Sequence, residues 1–415
     1  MKRSTPALRV PLWTIYVVAA SLFLFLGSQF LRYESAIAGN GDIMAYKRTA
    51  IMINGLRAGI VTTVPNYYPP LANLLFLSAE NNILGAPFHH ALLFLFLTAM
   101  GGACVFSLLP MEERILAWFT VTVLGAIALL EPAVFFARFD FFPMLGIVLA
   151  ALSLRRRMYG AAGAFLMLGC LLKLAPVFLI PVFHVLVPAG HRRAFWTGML
   201  LTATGVLGAS FLLLGVRVTL QSMGAFFTLR TAYPPYALST ASSIDLFVRM
   251  LAGGTGKIEW IGPDLGHFNT GLPVTLSAGL LLLSVVGAGY IAFLASRDRK
   301  RDENGILYIS ATMLWILFAT PLLTMHYYLW ILPLVLLWFV ERLEHTWRLR
   351  LPELCAGLGA VALGLLGQWT YPTLYFDLVD RQMPLAVTVN FVRNALCLAI
   401  VISLLLATRK LRTSR

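Results

Sequence analysis

The chain has 415 residues, of which 59% are hydrophobic and 12% charged, and its mean hydropathy is +0.81. No water-soluble domain could bury that much apolar surface in one core, so the composition excludes an ordinary soluble protein and predicts one that lies in lipid. The net charge of +14 does not indicate nucleic-acid binding, because the basic residues separate the apolar runs instead of forming one patch.

Apolar runs follow one another along the whole chain, and each is a candidate membrane-spanning helix. They fall near residues 11–30, 88–109, 116–131, 141–154, 158–172, 174–187, 195–216, 271–295, 305–323, 327–340, 351–370 and 386–407. Between 158 and 187, Lys173 and Pro176 predict two short helices that meet at a break. We therefore expect an all-α polytopic membrane protein of about 12 spans, with residues 1–415 forming a single transmembrane domain.

The basic residues also predict the orientation of the chain. With the N-terminus in the cytoplasm, most of the 32 Lys and Arg residues lie on the cytoplasmic side, as the positive-inside bias requires. Both termini are then cytoplasmic, and two long segments, about 31–87 and about 217–270, face outwards. We expect a surface helix between Gly41 and Pro65 in the first segment. The second should be rich in loops, with one amphipathic helix from about Ser243 to Leu251.

Ionisable residues at the outer ends of the predicted spans are the candidate functional groups, because charges at membrane depth are costly. Asp42 could act as a base, or it could simply cap the helix that follows. Lys173 should seek a phosphate or carboxylate. Arg138 and Asp140 could serve a substrate or form an interfacial ion pair, and His326 could be functional or only an interface residue.

Motifs typical of soluble enzymes do not occur in the sequence. It has no phosphate-binding glycine loop, no His-Glu-x-x-His pair and no Gly-x-Ser-x-Gly turn. Any chemistry would therefore use carboxylates, histidine and cations at the membrane surface. No cofactor is required; Asp42 and Asp140 could share a divalent metal, but nothing in the sequence predicts one.

Five sequence features follow one another along the chain: Asp42 with Tyr46, Tyr68-Pro69-Pro70-Leu71, Arg138-Phe139-Asp140, Lys173-Leu174-Ala175-Pro176 and the run from His326 to Pro333. In their order and sidedness they resemble the polyprenyl-phosphate-sugar-dependent transferases of the GT-C type, and most closely glycosyltransferase family 87. The resemblance covers most of the chain.

The chain departs from many members of that family at two places. It has Ala137-Arg138 where they have Gly-Gln, and Ala241-Ser242-Ser243 where they often have Asn-Gln-Ser. The resemblance implies that these positions touch the substrates.

The resemblance implies an inverting transfer of a sugar, with mannose expected, from a polyprenyl-phosphate donor to a lipid-linked glycan or glycolipid. The reaction would take place on the extracytoplasmic face of the plasma membrane, with membrane lipids as partners and without nucleic acid. The catalytic residues would be Asp42 and His326, the donor phosphate would be bound by Lys173, Arg138 and Arg230, and the substrates would contact Tyr46, Tyr68, Asp140, Tyr327 and Trp330.

Two other classes of protein stay open at this point. A twelve-span secondary transporter would place its polar sites near the membrane midplane and often show repeated halves. A polymerase or ligase of envelope glycans would favour arginines in the outer loops over an early aspartate. The candidates here cluster at outer span ends, and we find no repeat.

Overall fold

The computed structural model describes residues 12–32, 41–61, 68–81, 85–91, 141–256, 258–261, 267–321, 323, 334 and 351–410. Helices dominate these residues, which agrees with a helical membrane protein. The α-helices are α1 (Leu12–Arg32), α2 (Gly41–Arg57), α3 (Pro70–Glu80), α4 (Phe141–Arg155), α5 (Tyr159–Leu172), α6 (Ile180–Leu186), α7 (Arg192–Leu213), α8 (Val216–Ala232), α9 (Thr240–Leu251), α10 (Val274–Ser296), α11 (Arg301–Ala319), α12 (Leu351–Gln368), α13 (Tyr375–Val379) and α14 (Pro384–Lys410).

Other regular structure in the described part of the chain is short. Two 3₁₀ turns cover Ala175–Leu179 and Ala189–His191, and a π-helical turn covers Trp369–Thr373. Strands β1 (Glu259–Ile261) and β2 (His267–Asn269) form one antiparallel hairpin. This short hairpin lies in the second long segment predicted to face outwards, and the described residues as a whole are consistent with an all-α membrane protein.

Three stretches in the described part of the chain are long and apolar enough to cross a membrane: Ala189–Leu213, Val274–Ser296 and Pro384–Thr408. Each predicted apolar run that falls mainly within the described residues is helical. The runs near 88–109, 116–131 and 327–340 lie largely outside the described residues. The count of twelve spans, the cytoplasmic termini and the single domain therefore stay predictions.

The predicted break in the middle of the 158–187 segment is confirmed. Helix α5 ends at Leu172, and the backbone of Lys173 is extended, with φ −154° and ψ 122°. Pro176 then lies in the first turn of a 3₁₀ helix, and Pro181 lies in the first turn of α6. Proline lacks the N–H that an uninterrupted helix needs, but it is tolerated in a first turn. The sequence thus ends one helix and starts the next around Lys173.

Glycines bring the backbones of α5 and α7 into direct contact. A Cβ on Gly163 would lie 2.0 Å from the carbonyl oxygen of Phe195, and a Cβ on Gly198 would lie 2.0 Å from that of Gly160. Small residues at such crossings allow membrane helices to approach closely. Helix α4 packs on the other side of α5, so the three helices form one tightly packed layer.

We expect Gly198→Ala to destabilise the protein by about 1–3 kcal/mol, because the new methyl group would overlap the Gly160 carbonyl. At Gly205, on the same helix, no described residue approaches within 4 Å of the position that a methyl group would take. Gly205→Ala should therefore be neutral or gain roughly 0.5–1 kcal/mol from helix propensity. Thermal unfolding of both variants in detergent measures the difference. Equal melting temperatures would contradict the close contact.

The two long outer segments are more helical than expected. Helix α2 confirms a helix in the first segment, whose place along the membrane surface stays a prediction, and α9 confirms the amphipathic helix of the second. The prediction of a loop-rich second segment is wrong for α8, which continues for 17 residues. Its buried face includes Thr219 and Ser222 as well as Val218, so apolar periodicity alone did not reveal it.

The opposite end of the bundle gathers the segments that the charge pattern places in the cytoplasm. Asp298 is almost fully buried there, and its carboxylate accepts hydrogen bonds from Asn304 Nδ2 at 2.8 Å and from the Tyr308 hydroxyl at 2.9 Å. Leu186, at the end of α6, lies 3.5 Å from the Cβ position of Gly305. Asp298 thus ties the loop before α11 to Asn304 and Tyr308 of that helix, at the end away from Lys173.

Candidate active site

Three aromatic rings join α2 to α3 in the first outer segment. Tyr46 stacks on Phe76 with ring centroids 4.6 Å apart, and Tyr68 meets both rings edge-on, at 5.5 Å from Tyr46 and 5.1 Å from Phe76. Tyr46 is only 2% exposed. The cluster therefore gives Tyr46 a packing role that fixes α2 on α3, while Tyr68, half-buried at the edge, is better placed to meet a ligand.

Asp42 lies in the first turn of α2, which begins at Gly41. Its two considered roles, base and helix cap, both stay predictions. Asp42 precedes Tyr46 by about one turn of this helix. The aromatic cluster therefore holds the backbone that carries Asp42; its side chain lies outside the described residues.

Asn73 connects α3 to α8. Its side chain is fully buried, and its Nδ2 donates to the carbonyl oxygen of Tyr68 and to Ser222 Oγ, both at 2.9 Å. One amide thus fixes the segment that carries Tyr68 and the helix that carries Arg230. Arg230 lies in the last turns of α8, and its side chain lies outside the described residues.

Lys173 lies at the break between α5 and the following 3₁₀ turn, and its side chain is half-buried. Its backbone N–H still bonds to Gly169 at 2.9 Å, so the extended backbone is anchored on the last turn of α5. Helix α5 also packs against α3. The break thus presents an ammonium group near the end of α5 that the charge pattern places outwards.

The segment 233–240, directly after α8, is held by hydrogen bonds from three helices. Ser277 of α10 donates to the Tyr233 carbonyl at 2.7 Å. On the α11 side, Tyr236 N donates to Pro321 at 2.9 Å and Thr240 Oγ1 donates to Phe318 at 2.6 Å. The 233–240 segment therefore fixes the end of α11, a few residues before His326.

A buried cation on α14 completes this arrangement, and sequence reasoning missed it. Arg393 is 0% exposed, and its Nη2 donates to the Leu238 carbonyl at 2.6 Å and to Asn394 Oδ1 at 3.3 Å. Asn394 Nδ2 also donates to Leu238, and Asn390 Nδ2 donates to Ala237 at 3.1 Å. An arginine inside an apolar run was the signal that could have revealed it.

Ser242 and Ser243 lie inside this network, where the resemblance implied contact with substrate. Both are 0% exposed, Ser242 Oγ accepts from Thr270 Oγ1 at 2.8 Å, and Ser243 Oγ donates to the Thr240 carbonyl at 2.8 Å. Their hydroxyls bond to other protein groups, which gives these two positions a structural role.

The structure thus brings Tyr46 and Tyr68 together but leaves other predicted site residues undescribed. Arg138, Asp140, His326, Tyr327 and Trp330 lie outside the described residues. Within the described residues, no three His, Cys, Asp or Glu side chains lie close enough together to hold one metal ion.

The family model of glycosyltransferase family 87 matches residues 66–324, which is more than half of the chain. The chain belongs to glycosyltransferase family 87. No curated protein and no solved structure matches it. As a family 87 protein it is a glycosyltransferase, and its apolar helices make it a membrane protein. The matched region includes Tyr68, Lys173 and the 233–240 segment, begins after Asp42 and ends just before His326.

Proposed function

We propose that this family 87 protein is an inverting glycosyltransferase that moves mannose from a polyprenyl-phosphate donor to a lipid-linked glycan or glycolipid. The reaction takes place at the extracytoplasmic face of the plasma membrane. The family match over residues 66–324 is the observation that carries the proposal. It favours a transferase over a secondary transporter, because the match names a transfer reaction.

The chemistry needs few groups, since a sugar on a lipid phosphate is already activated. The acceptor hydroxyl gives its proton to the Asp42 carboxylate as its oxygen attacks the anomeric carbon. The bond between that carbon and the phosphate oxygen breaks, and polyprenyl phosphate leaves with the electron pair. One displacement inverts the anomeric centre. A fixed base contributes about 10²–10⁴-fold to such a step.

Negative charge grows on the departing phosphate, so cations fixed in a low-dielectric site stabilise the transition state. We assign this role to Lys173, with Arg138 and Arg230. The position of Lys173 supports the assignment, because it lies at a helix break at the end of α5, the helix that packs against α3. His326 would orient the acceptor or bond to the phosphate, and Tyr68 or Trp330 would stack on a sugar ring.

Transfer of radiolabelled mannose from synthetic polyprenyl-phosphate mannose by the purified protein tests the reaction class. The same preparation is offered polyprenyl-phosphate glucose and a nucleotide-activated mannose. We expect label to move only from the lipid-linked mannose to a glycolipid acceptor. Transfer from the glucose donor would show that mannose is the wrong sugar assignment. No transfer from any lipid-phosphate sugar would overturn the proposed donor class. Transfer of whole glycans would favour a polymerase or ligase.

We expect Lys173→Ala to raise the donor KM about 10- to 100-fold, because a hydrogen bond to a charged group contributes about 1.5–3 kcal/mol. Lys173→Arg, which keeps the charge, should recover part of the loss. Lys300→Ala is the matched control, since Lys300 lies at the other end of the bundle, 3.8 Å from Glu303. Steady-state rates at varied donor concentration measure the effect. An unchanged donor KM in Lys173→Ala would remove Lys173 from the donor site.

A further inference from the structure

Helix α9 leaves one stripe of apolar residues exposed. Ile244, Val248 and Leu251 are 47%, 57% and 71% exposed, whereas Ser242 and Ser243 are 0% exposed and are buried with Leu246. The three exposed residues follow the i, i+4, i+7 spacing of one helical stripe. A surface helix of a soluble protein normally turns such a stripe towards the core and leaves its serines outside.

The inward orientation of the polar face is fixed by hydrogen bonds. Thr240 Oγ1 donates to Phe318, Ser243 Oγ donates to Thr240, and Ser242 Oγ accepts from Thr270 Oγ1. The Ser243 bond lies within α9, but turning α9 to bury its apolar stripe would separate the Thr240 and Ser242 hydroxyls from their partners on other segments, at a cost of about 1–3 kcal/mol for each buried group. The outward apolar stripe is therefore built into the fold.

Contacts with α14 give the depth of α9 in the membrane. Phe247 stacks on Phe391 with ring centroids 4.1 Å apart and planes within 5°, and Leu246 packs in one cluster with Ala386. These α14 residues belong to the candidate span Pro384–Thr408. They lie within roughly the first 10 Å of that span, at a rise of 1.5 Å per residue. That depth corresponds to the boundary between headgroups and hydrocarbon.

Helix α14, which packs against α9, also exposes apolar side chains near its start: Leu385 and Val392 are 54% and 44% exposed. An ion pair between Asp245 and Arg249, at 3.0 Å, runs along the neighbouring stripe of α9, with side chains 21% and 51% exposed. Interfacial helices have this combination of an apolar stripe towards acyl chains and a charged stripe at headgroup level.

We propose that α9 lies along the outer leaflet of the bilayer and binds phospholipid acyl chains through Ile244, Val248 and Leu251. The Asp245–Arg249 pair then sits among the headgroups. The opposite face of α9 bonds to α11, and α9 continues the chain directly from the 233–240 segment. Lipid contact therefore sets the height of that segment relative to the membrane. The inference does not depend on which sugar the protein transfers.

Photocrosslinking in a bilayer tests the proposal. The photoreactive residue p-benzoylphenylalanine replaces Val248, Leu282 or Asp302 in the full chain, which is reconstituted into vesicles of phosphatidylglycerol and phosphatidylethanolamine. Leu282, 63% exposed in the span Val274–Ser296, is the positive control. Asp302, whose side chain is 77% exposed at the start of α11, is the negative control. After illumination, intact mass spectrometry should show a shift of one phospholipid at positions 248 and 282 only.

Two results would overturn the proposal. One is the absence of a lipid adduct at position 248 while position 282 gives one. The other is a product at position 248 with the mass of two protein chains, which would show that a second copy of the protein covers the stripe. Thermal unfolding checks that each variant is folded. If the variant at 248 does not fold, Leu251 takes its place, because it is the most exposed residue of the stripe.

Discussion

Replacing Asp42 with asparagine should lower kcat for sugar transfer by about 10²–10⁴-fold, because the amide cannot accept the proton of the acceptor hydroxyl. The donor KM should change little, since the assignment gives Asp42 no contact with the phosphate. Asp42→Ala should be equally inactive. The measurement is transfer of radiolabelled mannose by purified variants, combined with thermal unfolding to show that α2 still packs.

The control for this experiment is Asp377→Asn. Asp377 also lies on the predicted outer side, in α13, where it accepts a hydrogen bond from Arg381 at 3.3 Å. We expect this variant to transfer mannose at a rate close to that of the unmodified protein. Full activity in Asp42→Asn would disprove the base assignment, and equal losses in both aspartate variants would point to a general effect of removing outer charge.

Replacing Arg393 with methionine should destabilise the protein by about 1.5–3 kcal/mol, the contribution of a hydrogen bond that involves a charged group. The substitution keeps the volume of the side chain but leaves the Leu238 carbonyl without its 2.6 Å donor. Arg393→Lys should recover only part of the stability, because an ammonium group cannot reproduce the planar geometry of the guanidinium. Thermal unfolding in detergent measures all three proteins.

Arg381→Met is the matched control for Arg393. Arg381 has a side chain 74% exposed and pairs only at the surface with Asp377, so its loss should stay within about 0.5 kcal/mol. If the two methionine variants unfold at the same temperature, Arg393 does not hold the 233–240 segment. We also expect lower transfer activity in Arg393→Met, because that segment fixes the end of α11 ahead of His326.

The parts of the fold that were predictable follow from strong local rules. Composition and apolar runs predicted membrane helices, and Pro176 beside Lys173 predicted the break, because proline removes a hydrogen-bond donor and a charge cannot stay deep in lipid. The amphipathic pattern predicted α9. For the site, the family resemblance is confirmed, whereas the roles of Asp42, Lys173 and His326 stay predictions.

The features that sequence reasoning missed depend on tertiary contacts. Helix α8 buries Ser222 against Asn73, so its inner face lacks the apolar periodicity that marks most helices. Arg393 lies in a run whose mean hydropathy is apolar. That mean conceals the three polar residues Asn390, Arg393 and Asn394. Their i, i+3, i+4 spacing places them on one face of α14, but their partner, the backbone at 237–238, is about 150 residues away.

The glycine contact between α5 and α7 also limits how the protein can move. Where backbones touch at Gly163 and Gly198, the tight packing leaves little room for side chains to change rotamer, so α4, α5 and α7 should shift only as one rigid body. The paired helices α2 and α3 are held instead by aromatic contacts and by hydrogen bonds between the side-chain amides of Asn54 and Asn81, which can slide or exchange partners. Admission of the proposed lipid donor would then fall to α2 and α3, and amide hydrogen exchange should be faster there than in α5.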